Sequence, residues 1–311
     1  MRHVFLIPLL CLMAGPAAAQ SASSQPSGES LREIFARGRA TTTLDIDNDS
    51  LLLRRDDGLY TSGLRISQGF RVRSSGGWRT AGWRVGQQLY TPSSTRLAPE
   101  QLRPFDRPYA GWLYAGLFYR VEDADGSELA FGLDVGCLGP CAQGGRTQDA
   151  LHRWLNQPEP RGWSSQIPNE VGVVAHLGGR GPYYRLGPHA DLRPGIAARL
   201  GNIFTDLSGD LTLRIGELWP SATKGAAYGF LRAGVRGVVH DGTLQGGWFG
   251  SEPQRTVDPK RVTGELEAGV QWQVTRWAVR ASVVGRSNEI RGAGEAGGRQ
   301  EFLRLSISYS P

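Results

Sequence analysis

The chain has 311 residues, 35 basic side chains against 29 acidic ones, a formal net charge of +6 and three cysteines. Mean hydropathy is −0.32, and beyond Gln20 no window holds the about 18 consecutive apolar residues of a transmembrane helix. That excludes a helical membrane protein and leaves a soluble β domain or a membrane β-barrel, half of whose strand residues face a polar lumen; the positive balance suits an anionic partner and does not bear on fold.

Arg2 and His3, the apolar run Val4 to Met13 and Ala17-Ala18-Ala19 read as a signal peptide over 1–19, cut before Gln20. Cys11 follows Leu10 inside the apolar run, without the small residue of a lipoprotein signal. A leader over 20–40 follows: Gln20 to Gly28 is Ser-rich and expected to be unstructured, and Glu29 to Gly38 is a short helix or plain leader. Export leaves two cysteines, Cys137 and Cys141. An oxidising compartment favours a disulfide over two free thiols, and the lack of a second pair argues against zinc.

From Thr41 the pattern has period two, as strands facing two media require. Leu64, Ile66, Phe70 and Val72 alternate with Arg65, Ser67, Gly69, Arg71 and Arg73, and Leu303, Leu305, Ile307 and Tyr309 with Arg304, Ser306 and Ser308. About twelve such segments are expected, near 41–52, 60–73, 78–90, 111–122, 127–138, 168–178, 187–203, 206–217, 226–240, 261–275, 277–287 and 300–309. Their lengths suit the ~9–11 residues a tilted strand needs to cross a bilayer, and the even count suits a bacterial barrel. A soluble sandwich would show the same alternation. The barrel is preferred because Trp78, Tyr90, Trp112, Tyr119, Trp219, Trp272, Trp277 and Tyr309 gather at segment ends, as interfacial girdles do. Arg71 or Arg304 facing lipid would cost ~2–4 kcal/mol each, so those faces point inward. The expected fold is therefore all-β: a transmembrane antiparallel barrel over 41–311. With a periplasmic N-terminus, most long connections fall outside, including 91–110, 139–167, 241–260 and 288–299.

Candidate site residues fall on that outer rim. Asn48 and Asp49 end the first strand; Asn48 has lipid-facing parity, tolerable only at a strand's outer end, although Asn-Asp is also ordinary turn chemistry. Thr147 to Leu155 reads as a short loop helix with Thr147 as N-cap and Leu151 and Leu155 as its apolar stripe. Gln148 and His152, four apart, share a face. An imidazole there suits a general base; the alternative is a surface histidine. Arg107 and Tyr109, in Arg107-Pro108-Tyr109-Ala110-Gly111, are candidate substrate contacts or a loop clasp. Glu170 is a cation ligand or a lumen residue. His176, His189 and His240 sit on lumen parity and read as structural.

Taken in order, Asn48-Asp49, Tyr60-Thr61-x-Gly63, Arg107-Pro108-Tyr109-Ala110-Gly111, Gly139-Pro140, Gln148, His152 and Gly162-Trp163 with Gln166 resemble the outer-membrane lipid A 3-O-deacylases. The resemblance runs from about Asp47 to Glu170. It implies a twelve-stranded barrel, a site between wall and loop helix, dependence on calcium (Ca2+), and removal of the 3'-linked acyloxyacyl chain from lipid A of lipopolysaccharide. His152 would activate water, Gln148 would sit beside it, and Asn48, Asp49 and Thr61 would match the site's polar residues. Asp49, loop carbonyls and Glu170 offer oxygen ligands to a hard cation, and exposed arginines meet the lipid's phosphates. The expected partners are lipopolysaccharide and outer-membrane lipids, with no nucleic acid, and the chain is expected to act as a monomer. Two other readings stand: a phospholipase with Ser62 or Ser50 as nucleophile, and a non-enzymatic pore or structural barrel.

Overall fold

Side chains alternating between two media build one continuous wall. The computed structural model describes residues 30–49, 59–103, 105–219, 225–253, 255–293 and 298–311. The signal peptide 1–19, Cys11, the Ser-rich stretch 20–28 and Ser50 lie outside the described residues. The strands are β1 (Arg39–Asn48), β2 (Leu59–Ser74), β3 (Gly77–Thr91), β4 (Ala110–Asp123), β5 (Glu128–Leu138), β6 (Glu170–Arg180), β7 (Tyr184–Arg185), β8 (Ala190–Gly201), β9 (Phe204–Glu217), β10 (Ala226–Asp241), β11 (Val262–Val274), β12 (Trp277–Arg286) and β13 (Gln300–Tyr309). Neighbours pair antiparallel. β1 also pairs with β13 and β6 with β8, so twelve long strands close into a barrel, with β7 a short ribbon on β8.

Connections alternate in length. Short ones, such as Thr275-Arg276 with Thr275 at φ 49°, gather at one end. At the other end stand the long segments after β3, β5, β10 and β12, with the two-residue link after β8 as the exception. Ahead of β1, helix α1 (Leu31–Arg37) is closed by a Ser30–Glu33 capping box and packs Phe35 on Phe70, ring centroids 5.2 Å apart. Both long-loop helices, α2 (Gly144–Leu155) and α3 (Gly242–Gln245), stand at the long-loop end.

Outward side chains such as Leu117, Leu133, Val171, Leu207 and Val270 are exposed, as the face toward lipid requires. Inside, polarity is stratified. Near the long-loop end Tyr60, Tyr90, Trp112, Tyr114, Leu138, Phe204 and Phe302 belong to one buried cluster. Tyr90 and Trp112 are therefore lumen filling and not girdle residues: both lie on the inward parity, paired with Ala110 and Gln88. Beside and below this cluster the lumen holds ion pairs, including Arg232 with Asp210, Arg286 with Glu265 and Arg304 with Asp47. Low dielectric favours such pairing over isolated charge.

Candidate active site

Helix α2 lies on the outer surface of the wall. Gln87 shares a face with Leu64 and Leu113, both exposed toward lipid. Its Nε2 donates to the Ala142 carbonyl at 2.7 Å and to Thr147 Oγ1 at 3.1 Å, which ties the helix start to β3. The helix begins at Gly144, not near Thr147. Gln143 stands at the N-cap in the left-handed region, φ 58°, and Thr147 Oγ1 donates back to its carbonyl at 3.2 Å. Two successive glycines hid that first turn, since glycine is a poor helix former. The close approach requires them: a Cβ on Gly144 would come within 2.6 Å of the Trp163 ring.

The buried face of α2 is Gly144, Gln148 and His152, while Trp154 and Leu155 are exposed. The expected apolar stripe of Leu151 and Leu155 thus does not form the packing face. The polar side of the helix is therefore the one packed on the protein, and apolar side chains are left exposed. The pair Cys137–Cys141 is disulfide-bonded, with Cα atoms 6.0 Å apart, and joins the end of β5 to the turn before α2. Cys141 N–H donates to Asn169 Oδ1 at 2.7 Å.

Orientation of the two polar side chains is fixed from behind. His152 Nδ1 lies 2.6 Å from the Pro158 carbonyl oxygen. A carbonyl only accepts, so Nδ1 carries the proton and Nε2 is the basic nitrogen of the neutral ring. Trp163 Nε1–H donates to Gln148 Oε1 at 2.7 Å. That bond aims the Gln148 amide; its Nε2 is buried and has no hydrogen-bond partner among the described residues. Trp163 is itself seated on Tyr109, centroids 5.0 Å apart, and a Cβ at Gly162 would fall 2.3 Å from the Tyr109 ring. Tyr109 is fully buried, with its hydroxyl directed at the Thr95 carbonyl, 3.4 Å away. It acts on the site through Trp163 and Gln148, and is not the rim contact expected from sequence.

The facing wall comes from β1 to β3. Asn48 and Asp49 are buried, Asp49 N–H donates to the Thr61 carbonyl at 3.4 Å, and Asn48 pairs with Ser62. Register slips between Tyr60 and Ser62 opposite β3, which makes Thr61 a bulge residue. Its Oγ1 lies 2.6 Å from Thr91 Oγ1. Two residues back along β3, Leu89 would meet a Cβ on Gly144 at 3.0 Å. Thr91 and Leu89, two apart on β3, thus lie beside the Thr61 bulge and beside the start of α2 respectively.

Two expected site residues do other work. Arg107 is fully buried: Nη1 donates to Glu289 Oε2 at 3.0 Å, Nη2 to Thr243 Oγ1 at 2.6 Å, and its guanidinium stacks on Tyr90 at 4.4 Å. Burial alone would raise the Glu289 carboxyl; Arg286, Arg107 and Arg236, with a hydrogen bond from Gln300, outweigh it and hold it at about 2. This is a loop clasp, and it keeps Arg107 from a phosphate. Glu170 stands five strands round from β1. Its oxygens accept from Asn202 Nδ2 at 2.6 Å and from the N–H groups of Trp248, Phe249 and Gly250 at 2.9, 3.0 and 2.7 Å. A carboxylate offers about four acceptor sites, and these four donors fill them, so a metal role for Glu170 is replaced by a structural one. Glu289, Thr243 and Asn202 went unnoticed in the sequence because no local pattern marks partners so far apart along the chain. Of the structural histidines, His176 meets Asp134 at 2.7 Å, while His189 precedes β8 and is exposed, not lumenal.

The donor set at Asn48, Asp49, Thr61 and Thr91 is oxygen throughout, one carboxylate, one amide and two hydroxyls, which suits a hard cation. Among the described residues no three His, Cys, Asp or Glu side chains cluster as a metal site, hard or soft.

The model of the family described as "Outer membrane protein LpxR" matches residues 5–310. Of solved structures, LpxR from Salmonella typhimurium is 20% identical and covers 87% of this chain and 100% of its own, with a TM-score of 0.71; the two share a fold. The β domain of the Bordetella autotransporter BrkA is 15% identical, covering 88% of this chain and 99% of its own with a TM-score of 0.49, too low to carry an argument. No curated protein matches the chain in sequence.

Proposed function

The chain belongs to the outer membrane protein LpxR family, and from that premise we propose that it is an ester hydrolase of the outer membrane that removes the 3'-linked acyloxyacyl chain from lipid A. The observation that carries this reading is the pair on the inner face of α2: an imidazole with its Nδ1 proton held by Pro158, one turn from a buried amide donor without a partner among the described residues. His152 Nε2 takes a proton from water as the water oxygen attacks the ester carbonyl carbon. The Gln148 Nε2–H group donates to the oxygen on which negative charge develops. Collapse breaks the bond to the sugar oxygen, which recovers the proton from His152, and leaves a free fatty acid and a lipid A hydroxyl. Tyr109 and Trp163 keep the Gln148 amide aimed, and Thr61 and Thr91 shape the opposite wall. Asp49, with Asn48 and main-chain oxygens, would hold a calcium ion, which would supply positive charge to the polarised ester. Long loops of such barrels face outward, which puts the site on the cell surface side. There the exposed Trp154 and Leu155 meet acyl chains, and Arg146 and Arg161 are available to the phosphates.

The test is mass spectrometry of lipid A from cells producing the protein. Intact protein removes the 3'-acyloxyacyl mass; His152→Ala lowers the rate about 10²–10⁴-fold while the barrel still folds. Ser62→Ala retains activity, because water is the nucleophile. A fully active His152→Ala protein sinks the proposal, and an inactive but folded Ser62→Ala protein turns the reading to a serine enzyme.

A further inference from the structure

The lumen beside and below the aromatic cluster is charged. Most guanidiniums there meet a carboxylate: Arg214 with Asp191, Arg232 with Asp210, Arg286 with Glu265, Arg304 with Asp47. One cavity of about 300 Å³ breaks that rule. Arg84, Arg120, Arg199, Arg236 and His176 line it, with Asp206 as its one acidic wall residue. They come from β3, β4, β6, β8, β9 and β10, so the barrel brings together side chains that no local motif links.

The charges do not cancel. Arg84 Nε meets Asp134 at 2.7 Å, and Asp134 is shared with His176. Arg199 meets Asp206 through Nε at 2.8 Å and also through Nη2. Arg120 and Arg236 have neither an ion pair nor a hydrogen bond among the described residues. Four guanidiniums against Asp134 and Asp206 leave an excess of two positive charges, with His176 taken as neutral. Arg84 Nη2 adds a buried donor without a hydrogen-bond partner among the described residues. Its space is made by Gly132, where a Cβ would come within 2.8 Å of that nitrogen. An unmade bond to a buried charged donor is costly, and a free oxyanion of charge near −2 would meet both deficits at once.

We propose that this lumenal cavity is a binding site for a small free phosphate or phosphomonoester, held by Arg120, Arg236 and Arg84 Nη2. Planar guanidinium forks match the oxygens of a phosphate better than ammonium groups would. The site is inside the barrel, whereas the hydrolytic residues lie on its outer surface, so the two are separate.

Calorimetric titration of the folded protein in detergent micelles with inorganic phosphate, against chloride at matched ionic strength, tests this. Saturable binding at one site is expected, weakened tenfold or more in the Arg120→Gln/Arg236→Gln protein and unchanged in Arg96→Gln, whose side chain is on an exposed loop. Should the double variant fail to fold, phosphate must still raise the Tm of the unaltered protein above its value in chloride. Equal behaviour in phosphate and chloride overturns the proposal. So does binding of a short-chain phosphatidate without binding of inorganic phosphate, which would report a lipid headgroup instead. Lipid A deacylation by a folded double variant continues, so failure here is distinguishable from failure of the hydrolase reading.

Discussion

Single side chains at this site are aimed by the groups packed behind them. Gln148 is held by Trp163, and Trp163 by Tyr109. Gln148→Leu keeps the packing but removes the donor. The expected loss is about 10²–10³-fold in kcat, with KM little changed, as for other oxyanion donors; kinetics on purified lipid A read it. Glu289 makes a second residue-scale prediction. Its carboxyl sits at about 2 against an ordinary 4.5. A depressed folded-state value contributes stability that is complete above the ordinary value and is lost as pH falls through the folded one. Protease resistance of the rim loops should therefore hold at pH 5, decline below about 4.5 and vanish near 2, and Glu289→Gln should flatten that profile. His152 and Gln148 were legible because four-residue spacing puts them on one face. For Arg107 and Tyr109 the sequence left substrate contact and loop clasp open, since it does not show whether a residue meets solvent; both are fully buried, and Arg107 forms the clasp.

Elements explain the rest of the geometry. Helix α2 has its polar side toward protein, with Trp154 and Leu155 exposed, so the leucine stripe read from sequence is not the buried face and the Gln148–His152 face is. The strands were easier: a period of two is fixed by the contrast between lipid and lumen, and β4, β5, β11 and β13 lie within two residues of the expected ranges. The clasp of Glu170 on the segment after α3 could not be read locally, because its donors are main-chain groups some eighty positions later. Glu170→Gln should make the Trp248–Gly250 turn more protease-sensitive and leave the calcium concentration for half-maximal deacylation unchanged. Asp49→Ala should raise that concentration tenfold or more. Reversal of those two outcomes would return the metal role to Glu170.

At the scale of the molecule, stability depends on which medium a side chain meets. Leu117→Arg, on the lipid face of β4, should cost about 2–4 kcal/mol in urea unfolding from vesicles. Gln273→Arg, on the inward parity of β11, should cost well under about 1 kcal/mol by the same measurement, since lumen substitutions are tolerated. Compositional alternation made the barrel legible; the lumen's filling was not, since the order of strands round the ring decides which charges meet. The joint between β1 and β13 has a further effect. Asn48 is paired there with Leu303, and Asp47 with Arg304. That end of β1 already has β2 on one side and gains its second neighbour only from the last strand of the chain, so Asn48 is framed on both sides only in the closed ring.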